Sequence, residues 1–250
     1  MIFGNESISQ YSRSNLAIWM ALAFQAGLLN IGGFMACHRF VSHVTGFATF
    51  FGLEASLANK NQAAGMLAVP LFFLFGAMIS GQLVDIRLKL HKKPKYYLTF
   101  GLIFFLVLIV LIGGWLGYFG QFGEAAEFTR DYVLLALLCL ICGIQNGTVT
   151  SVSRSVVRTT HLTGITTDLG IGLMRLWNKN KLGDQVQDDS RANWMRIGIL
   201  LSFGFGSVAG GFIFRWFEYG GFLVPALTSG LLFGMMYYFQ VYKEKLERKI

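Results

Sequence analysis

The sequence predicts an all-α integral membrane protein, and three observations carry that prediction. Hydrophobic residues supply 54% of the chain and charged residues only 14%, with a mean hydropathy of +0.54; soluble domains carry roughly 25% charged residues. Several apolar runs exceed the roughly 18 residues that mark a bilayer span. The basic residues gather at the ends of those runs, so the net charge of +8 reads as loop orientation and attraction to anionic lipid. It does not read as a nucleic-acid surface, because no basic–aromatic patch accompanies it.

Six transmembrane helices are expected, over residues 16–37, 63–84, 97–118, 132–150, 194–216 and 221–242, as a single membrane domain covering 1–250. The polar opening MIFGNESISQYSRSN lacks the basic n-region and early apolar core of a cleaved signal, so the first run is expected to be retained. Two further stretches, 41–57 and 156–177, are only moderately apolar and contain His, Thr, Gly and an acid. Charge decides their path. The 85–96 loop carries Arg87, Lys89, Lys92, Lys93 and Lys95, and the C-terminus carries Lys243, Lys245, Arg248 and Lys249. The 120–131 linker is acidic on balance, with Glu124, Glu127 and Asp131. Six crossings put both basic segments on the cytoplasmic side with both termini, as short cytoplasmic loops require. Full crossing by the second doubtful stretch alone, or by both, puts the loop and the tail on opposite sides, so both are expected to be re-entrant or parts of broken helices.

Those two stretches share a phrase. SHVTGFATFFG begins at Ser42 and THLTGITTDLG at Thr160, each containing His-x-Thr-Gly-x-x-Thr-x-x-Gly. Two more blocks match in the same order: Gly27–Asn30 with Gly143–Asn146, and FGAMISG from Phe75 with FGSVAGG from Phe205. The chain therefore reads as two repeats, 16–118 and 131–242. Each holds three crossings, an odd number, so the second repeat is inverted relative to the first.

Inversion brings the two polar stretches together from opposite faces. Irregular backbone at bilayer depth survives only in a protein interior or against a wet cavity. Gly46 and Gly164 are the expected break points. Thr45 and Thr163 are the expected N-caps of short helices whose positive ends face the centre and hold the electronegative part of a solute. His43, His161, Asn30, Asn146, Gln145, Thr49 and Thr167 complete the candidate solute-binding set. Asp168 is its asymmetric member, matching Phe50 in the first copy. An acid at helix centre costs about 2.5–3.5 kcal/mol on insertion scales, so it needs a partner, a proton or water; Arg154 and Arg158 are the nearest cations in sequence. Bland alternatives stand beside each role. The Thr-Gly pairs, like Gly76, Gly81, Gly206, Gly210 and Gly211, let helices pack closely, and the asparagines serve as interhelical glue. Glu54 reads as solvated and the many phenylalanines as lipid-facing bulk. Cys139 and Cys142 have CxxC spacing inside a Leu-rich helix and read as packing thiols. No motif calls for a metal or cofactor.

Three patterns give a resemblance: Asn30 followed by HVTG at His43, CGIQNGTVTSVSR from Cys142, and RTTHLTGITTDLG from Arg158. With these the chain resembles the YoaK-like family of bacterial inner-membrane proteins, a domain of unknown function. The likeness spans about Ala21 to Tyr238 and implies a bacterial inner-membrane location. The family's first copy often reads Thr-Gly-Asn, whereas Phe47 follows Gly46 here. The resemblance supplies no substrate. The inverted duplication itself points to a small-solute transporter or channel with its site between the two His-x-Thr-Gly segments. The partners expected are membrane lipid, a small polar or ionic solute and a second copy of the chain in a homo-oligomer, with no nucleic acid. A lipid- or partner-docking protein using the basic loop is the rival reading, and a membrane enzyme the weaker one, since no GxSxG or HExxH is present.

Overall fold

The computed structural model describes residues 13–124, 129–152 and 161–242, and among them every regular element is helical. We number eight principal helices: α1 Arg13–Cys37, α2 Val44–Ser56, α3 Lys60–Ser80, α4 Tyr96–Trp115, α5 Thr129–Val152, α6 Leu162–Trp177, α7 Gln187–Phe217 and α8 Leu223–Tyr237. α3 continues through a π turn, Gly81–Asp85, to Lys89, and α8 ends in another, Tyr238–Tyr242. The N-terminal segment, the basic C-terminal residues and the start of the 156–177 stretch lie outside the described residues.

Among the described residues, five stretches are long and apolar enough to cross a membrane: Leu16–Cys37, Lys60–Lys89, Tyr96–Trp115, Tyr132–Ser151 and Asp188–Tyr242. This is the mark of a multi-pass membrane protein. The last runs for 55 residues, roughly 80 Å if it were straight, against a hydrocarbon core of about 30 Å. It is not straight, for Glu218 takes a left-handed conformation (φ 50°) and opens the tight turn Glu218–Phe222. α7 and α8 therefore divide it.

Helix directions follow from which residues meet. α1 lies parallel to α7: Met20 sits at Gly198, Phe203 at Gly27 and Phe214 at Gly32. α5 lies parallel to α3: Tyr132 sits at Gly65, Phe73 at Gly143 and Ser80 at Gly147. α1 runs antiparallel to α5, since Gln25 bonds to Gln145 while Gly33 meets Leu138. α4 runs antiparallel to α8, with Gly101 at Phe233, Phe104 at Gly230 and Gly114 at Tyr219. The two parallel pairs close on bare backbone. A Cβ at Gly27 would lie 2.2 Å from Phe203 O, and one at Gly143 would lie 2.2 Å from Phe73 O. Gly76 and Gly206 make the reciprocal approaches, to Leu140 O at 2.4 Å and Phe24 O at 2.1 Å. Small residues give such contact in membranes, where lipid removes the hydrophobic drive for association. Gly81 and Gly211, also read as packing glycines, have nothing within 4 Å of a Cβ position.

α1 and α5 form the centre, and the outward faces of α3 and α7 carry exposed Leu67, Leu71, Leu74, Leu201, Phe205 and Phe212. The phenylalanines divide between these two environments, because Phe100, Phe214 and Phe222 are fully buried. A polar lock crosses the centre. Gln25 Nε2 donates to Gln145 Oε1 at 2.8 Å, Gln145 Nε2 donates to Leu22 O at 2.7 Å, and Thr228 Oγ1 donates to Gln25 Oε1. Both glutamines are buried, so each amide must be satisfied inside the protein. Cys139 packs in the same core, its thiol donating to Val41 O at 3.2 Å.

After α1 the chain reverses. His38 is left-handed (φ 54°), and the following segment returns along α1. Val41 packs on Gly33, and Ser42 Oγ donates to Asn30 Oδ1 at 2.9 Å. Asn30 lies about two helical turns before Cys37, so α2 begins well inside the bundle. Since α3 opposes α1 in direction, α2 must carry the chain back outwards to reach the start of α3. Its Glu54, read as solvated, is buried and accepts from Asn59 Nδ2 at 3.0 Å; folding α2 back on the α3 start removes it from solvent.

Candidate functional site

The repeated phrase falls at the first turns of α2 and α6. His43 is the N-cap residue of α2 and His161 that of α6. The expectation that Thr45 and Thr163 cap these helices is corrected, because both threonines lie within the first turn. Neither histidine makes a side-chain capping bond; imidazole lacks the short side-chain oxygen that folds back on the N–H groups of a first turn. The first bonds back come from Gly46 and Phe47 to His43 O, and from Ile165 to His161 O. The N–H groups ahead of them have no intrahelical partner.

Gly46 and Gly164 are not breaks either, since both lie inside helices. Gly164 supplies room. A Cβ there would meet Nδ1 of His161 at 2.6 Å, so that ring lies over its own first turn. His43 leans away instead, stacked on Phe40 with ring centroids 4.9 Å apart, and Phe40 stacks on Phe34 at 4.7 Å.

Both helix starts face one cavity of about 1350 Å³. Six of the expected site residues line it in matched pairs: Asn30 and Asn146, His43 and His161, Thr45 and Thr163. Phe73 of α3 and Phe203 of α7 form a fourth pair. Asn146 Oδ1 is buried with no hydrogen-bond partner among the described residues, whereas Asn30 Oδ1 is taken by Ser42. At its outer end the cavity is bordered by Asp85, Lys89 and His91, which the sequence did not single out for the site. Lys89 Nζ pairs with Asp85 Oδ2 at 3.0 Å, one helical turn away. The signal available was an acid spaced i, i+4 from a loop lysine at the end of an apolar run. Three of the chain's four histidines thus border one space.

The other expected residues lie elsewhere. Gln145 is buried in the polar lock. Thr49 and Thr167 are exposed, and their hydroxyls donate to Thr45 O and Thr163 O at 3.1 and 3.0 Å, the back-bonding usual for threonine inside a helix. Asp168 is exposed on α6 and does not border the cavity. Arg154 and Arg158, its expected neighbours, lie outside the described residues. Among the described residues no three His, Cys, Asp or Glu side chains gather to hold a metal ion.

A family model described as "Protein of unknown function (DUF1275)" matches residues 18–235. The chain belongs to this family. The matched region contains both copies of the phrase and every cavity residue named above, so the whole candidate site is family sequence. No curated protein and no solved structure matches the chain.

Proposed function

We propose that the chain is a small-solute transporter, built from two inverted repeats whose His-x-Thr-Gly helix starts bind the solute between them. The observation that carries this reading is that both copies of the phrase border a single cavity. The fold supports the repeat. Counterpart helices α1 and α5 oppose each other, as do α4 and α8, and the glycine contacts Gly27–Phe203 and Gly143–Phe73 exchange under the same correspondence. On this reading α7 and α8 cross separately, giving six spans, and α2 and α6 are re-entrant. The bacterial inner membrane, with the 85–96 loop and both termini cytoplasmic, belongs to the same proposal. So does a homo-oligomer in lipid, and no catalytic step is required.

The uncapped starts of α2 and α6 direct positive helix ends towards the cavity, which suits a carboxylate or another electronegative group on the solute. The ion pairing of Asp85 leaves no uncompensated carboxylate among the described cavity residues. Flux in proteoliposomes across a panel of small anions, zwitterions, neutral polyols and cations tests the function. Saturable flux of one class that falls on changing Thr45 and Thr163 to valine is the expected result. A folded, reconstituted protein that moves none of them would leave a docking role for the basic loop as the better reading.

A further inference from the structure

The two ends of the bundle are closed very differently. The cavity reaches from Asn30 and Ser42, deep beside α1, to Asp85 and Lys89, and the Lys89 side chain is 76% exposed. At the other end of α1, five rings interlock: Phe119, Phe122, Phe214, Tyr219 and Phe222. Phe122 stacks on Phe214 at 6.1 Å with only 7° between planes, Tyr219 meets Phe122 edge-on at 5.1 Å, and Phe214 meets Phe222 at 4.9 Å. Phe214 and Phe222 have no exposed surface. Glycines receive the rings: Phe214 lies against Gly32 and Gly221, and Tyr219 against Gly114. Tyr219 Oη donates to Phe119 O at 3.2 Å, and Gly123 N donates to Ala36 O at 3.0 Å. Together these tie the 116–124 loop onto the end of α1.

On the repeat reading, these two ends occupy matching places in the two halves. FGAMISG from Phe75 aligns with FGSVAGG from Phe205, which sets Gly81 against Gly211, Val84 against Phe214 and Lys89 against Tyr219. After Gly81 the helix widens into a π turn beside the open mouth; after Gly211 its counterpart stays α-helical to Phe217 and presses Phe214 onto Gly32. Single π turns inside α-helices occur frequently at functional sites.

We infer that the cavity opens to one face at a time, and that the five-ring cluster is the closed gate at the opposite face. The inference rests on the transport reading and sharpens it, making the protein a carrier rather than an open channel. Opening the far side requires α7 to take up the wider turn after Gly211, lifting Phe214 from Gly32, while α3 tightens after Gly81 and closes the mouth. A packed core favours two such discrete arrangements over continuous deformation.

The test uses the full chain in oriented vesicles with a reporter on the cavity wall, Ala77→Cys, and a membrane-impermeant maleimide. The native cysteines are buried, and protein without the reporter gives the background. Labelling is expected from the face bearing residues 85–91 and at least tenfold slower from the other. Phe214→Ala should raise labelling from that other face at least tenfold. Tyr219→Phe, which removes only a hydroxyl, should raise it about fivefold, the population shift one hydrogen bond supports, and it guards against a Phe214→Ala protein that does not fold. Equal labelling from both faces in the unmodified gate would mean an open channel and overturn the inference while leaving solute transport standing. Unchanged labelling in folded Phe214→Ala and Tyr219→Phe proteins would make the rings ordinary packing and overturn it too. One-sided labelling that responds to both variants, with no solute moved, would uphold the gate and count against the transport reading alone.

Discussion

The two halves of this chain agree where helix meets helix and diverge where the bundle meets its surroundings. At the clasps, Gly27 against Phe203 and Gly143 against Phe73 are the same contact made twice, at the same 2.2 Å Cβ clearance. At the motif helices the agreement is partial. His43 and His161 hold the same N-cap position, yet one ring stacks on Phe40 and the other lies over Gly164. Further along, matched positions differ in residue and setting: Phe50 of α2 is half-buried with Arg39 over its ring, while its counterpart Asp168 is exposed on α6. The lesson is that a repeated residue keeps its role where its neighbours are repeated too. Backbone meeting backbone at the clasps leaves no freedom, whereas the outer faces of α2 and α6 meet unlike surroundings.

The strongest challenge to this comparison is to fill a clasp. Gly27→Leu and Gly143→Leu should each cost ~3 kcal/mol or more, because a carbonyl oxygen cannot move aside as a side chain can. Both proteins should fail to give a monodisperse peak in size-exclusion chromatography, and tolerance of one change alone would mean that the halves do not bear equal load. Next comes the motif. His43→Ala and His161→Ala should each lower solute flux about tenfold, the factor that ~1.4 kcal/mol of lost binding gives. An effect confined to one histidine would place the solute in one half only.

The polar lock sharpens the comparison from the other side, because it joins the halves without being repeated. Gln25→Leu and Gln145→Leu each leave a buried amide short of a partner and should cost ~1–3 kcal/mol. The double variant should cost less than their sum, read as non-additive shifts in thermal unfolding. The smallest effects belong to residues that share the phrase and not the cavity. Thr49→Val and Thr167→Val should stay within ~0.5 kcal/mol in stability, and Asp168→Asn should leave flux within about twofold, below what one hydrogen bond contributes.

The helical, membrane-spanning character was legible because a bilayer selects long apolar helices, and the paired residues because one phrase occurs twice in the sequence. The pairs Asn30 and Asn146, His43 and His161, and Thr45 and Thr163 were legible as a set through that repetition. Their local roles were less so. The threonine of the phrase reads as a cap by residue type, yet each helix begins two residues earlier, at a histidine, and the hydroxyls of Thr49 and Thr167 turn to their own backbone. Asp85 was marked only by its i, i+4 spacing from Lys89, and His91 gave no sign of belonging to the site. They come from a segment that periodicity assigns to the end of a span and its loop, and only the path of α3 past α5 sets them at the cavity mouth.

Sequence alone determined that this chain is helical and apolar enough for a membrane, since hydropathy and run length are properties of composition along one dimension. It also determined which residues recur. The tertiary structure decided which of those recurrences face one another, which lie on an outer face, and which end of the bundle is shut. These depend on the direction of each helix and on close approaches such as Gly32 to Phe214, between residues far apart in the chain, and local pattern carries no information about such meetings.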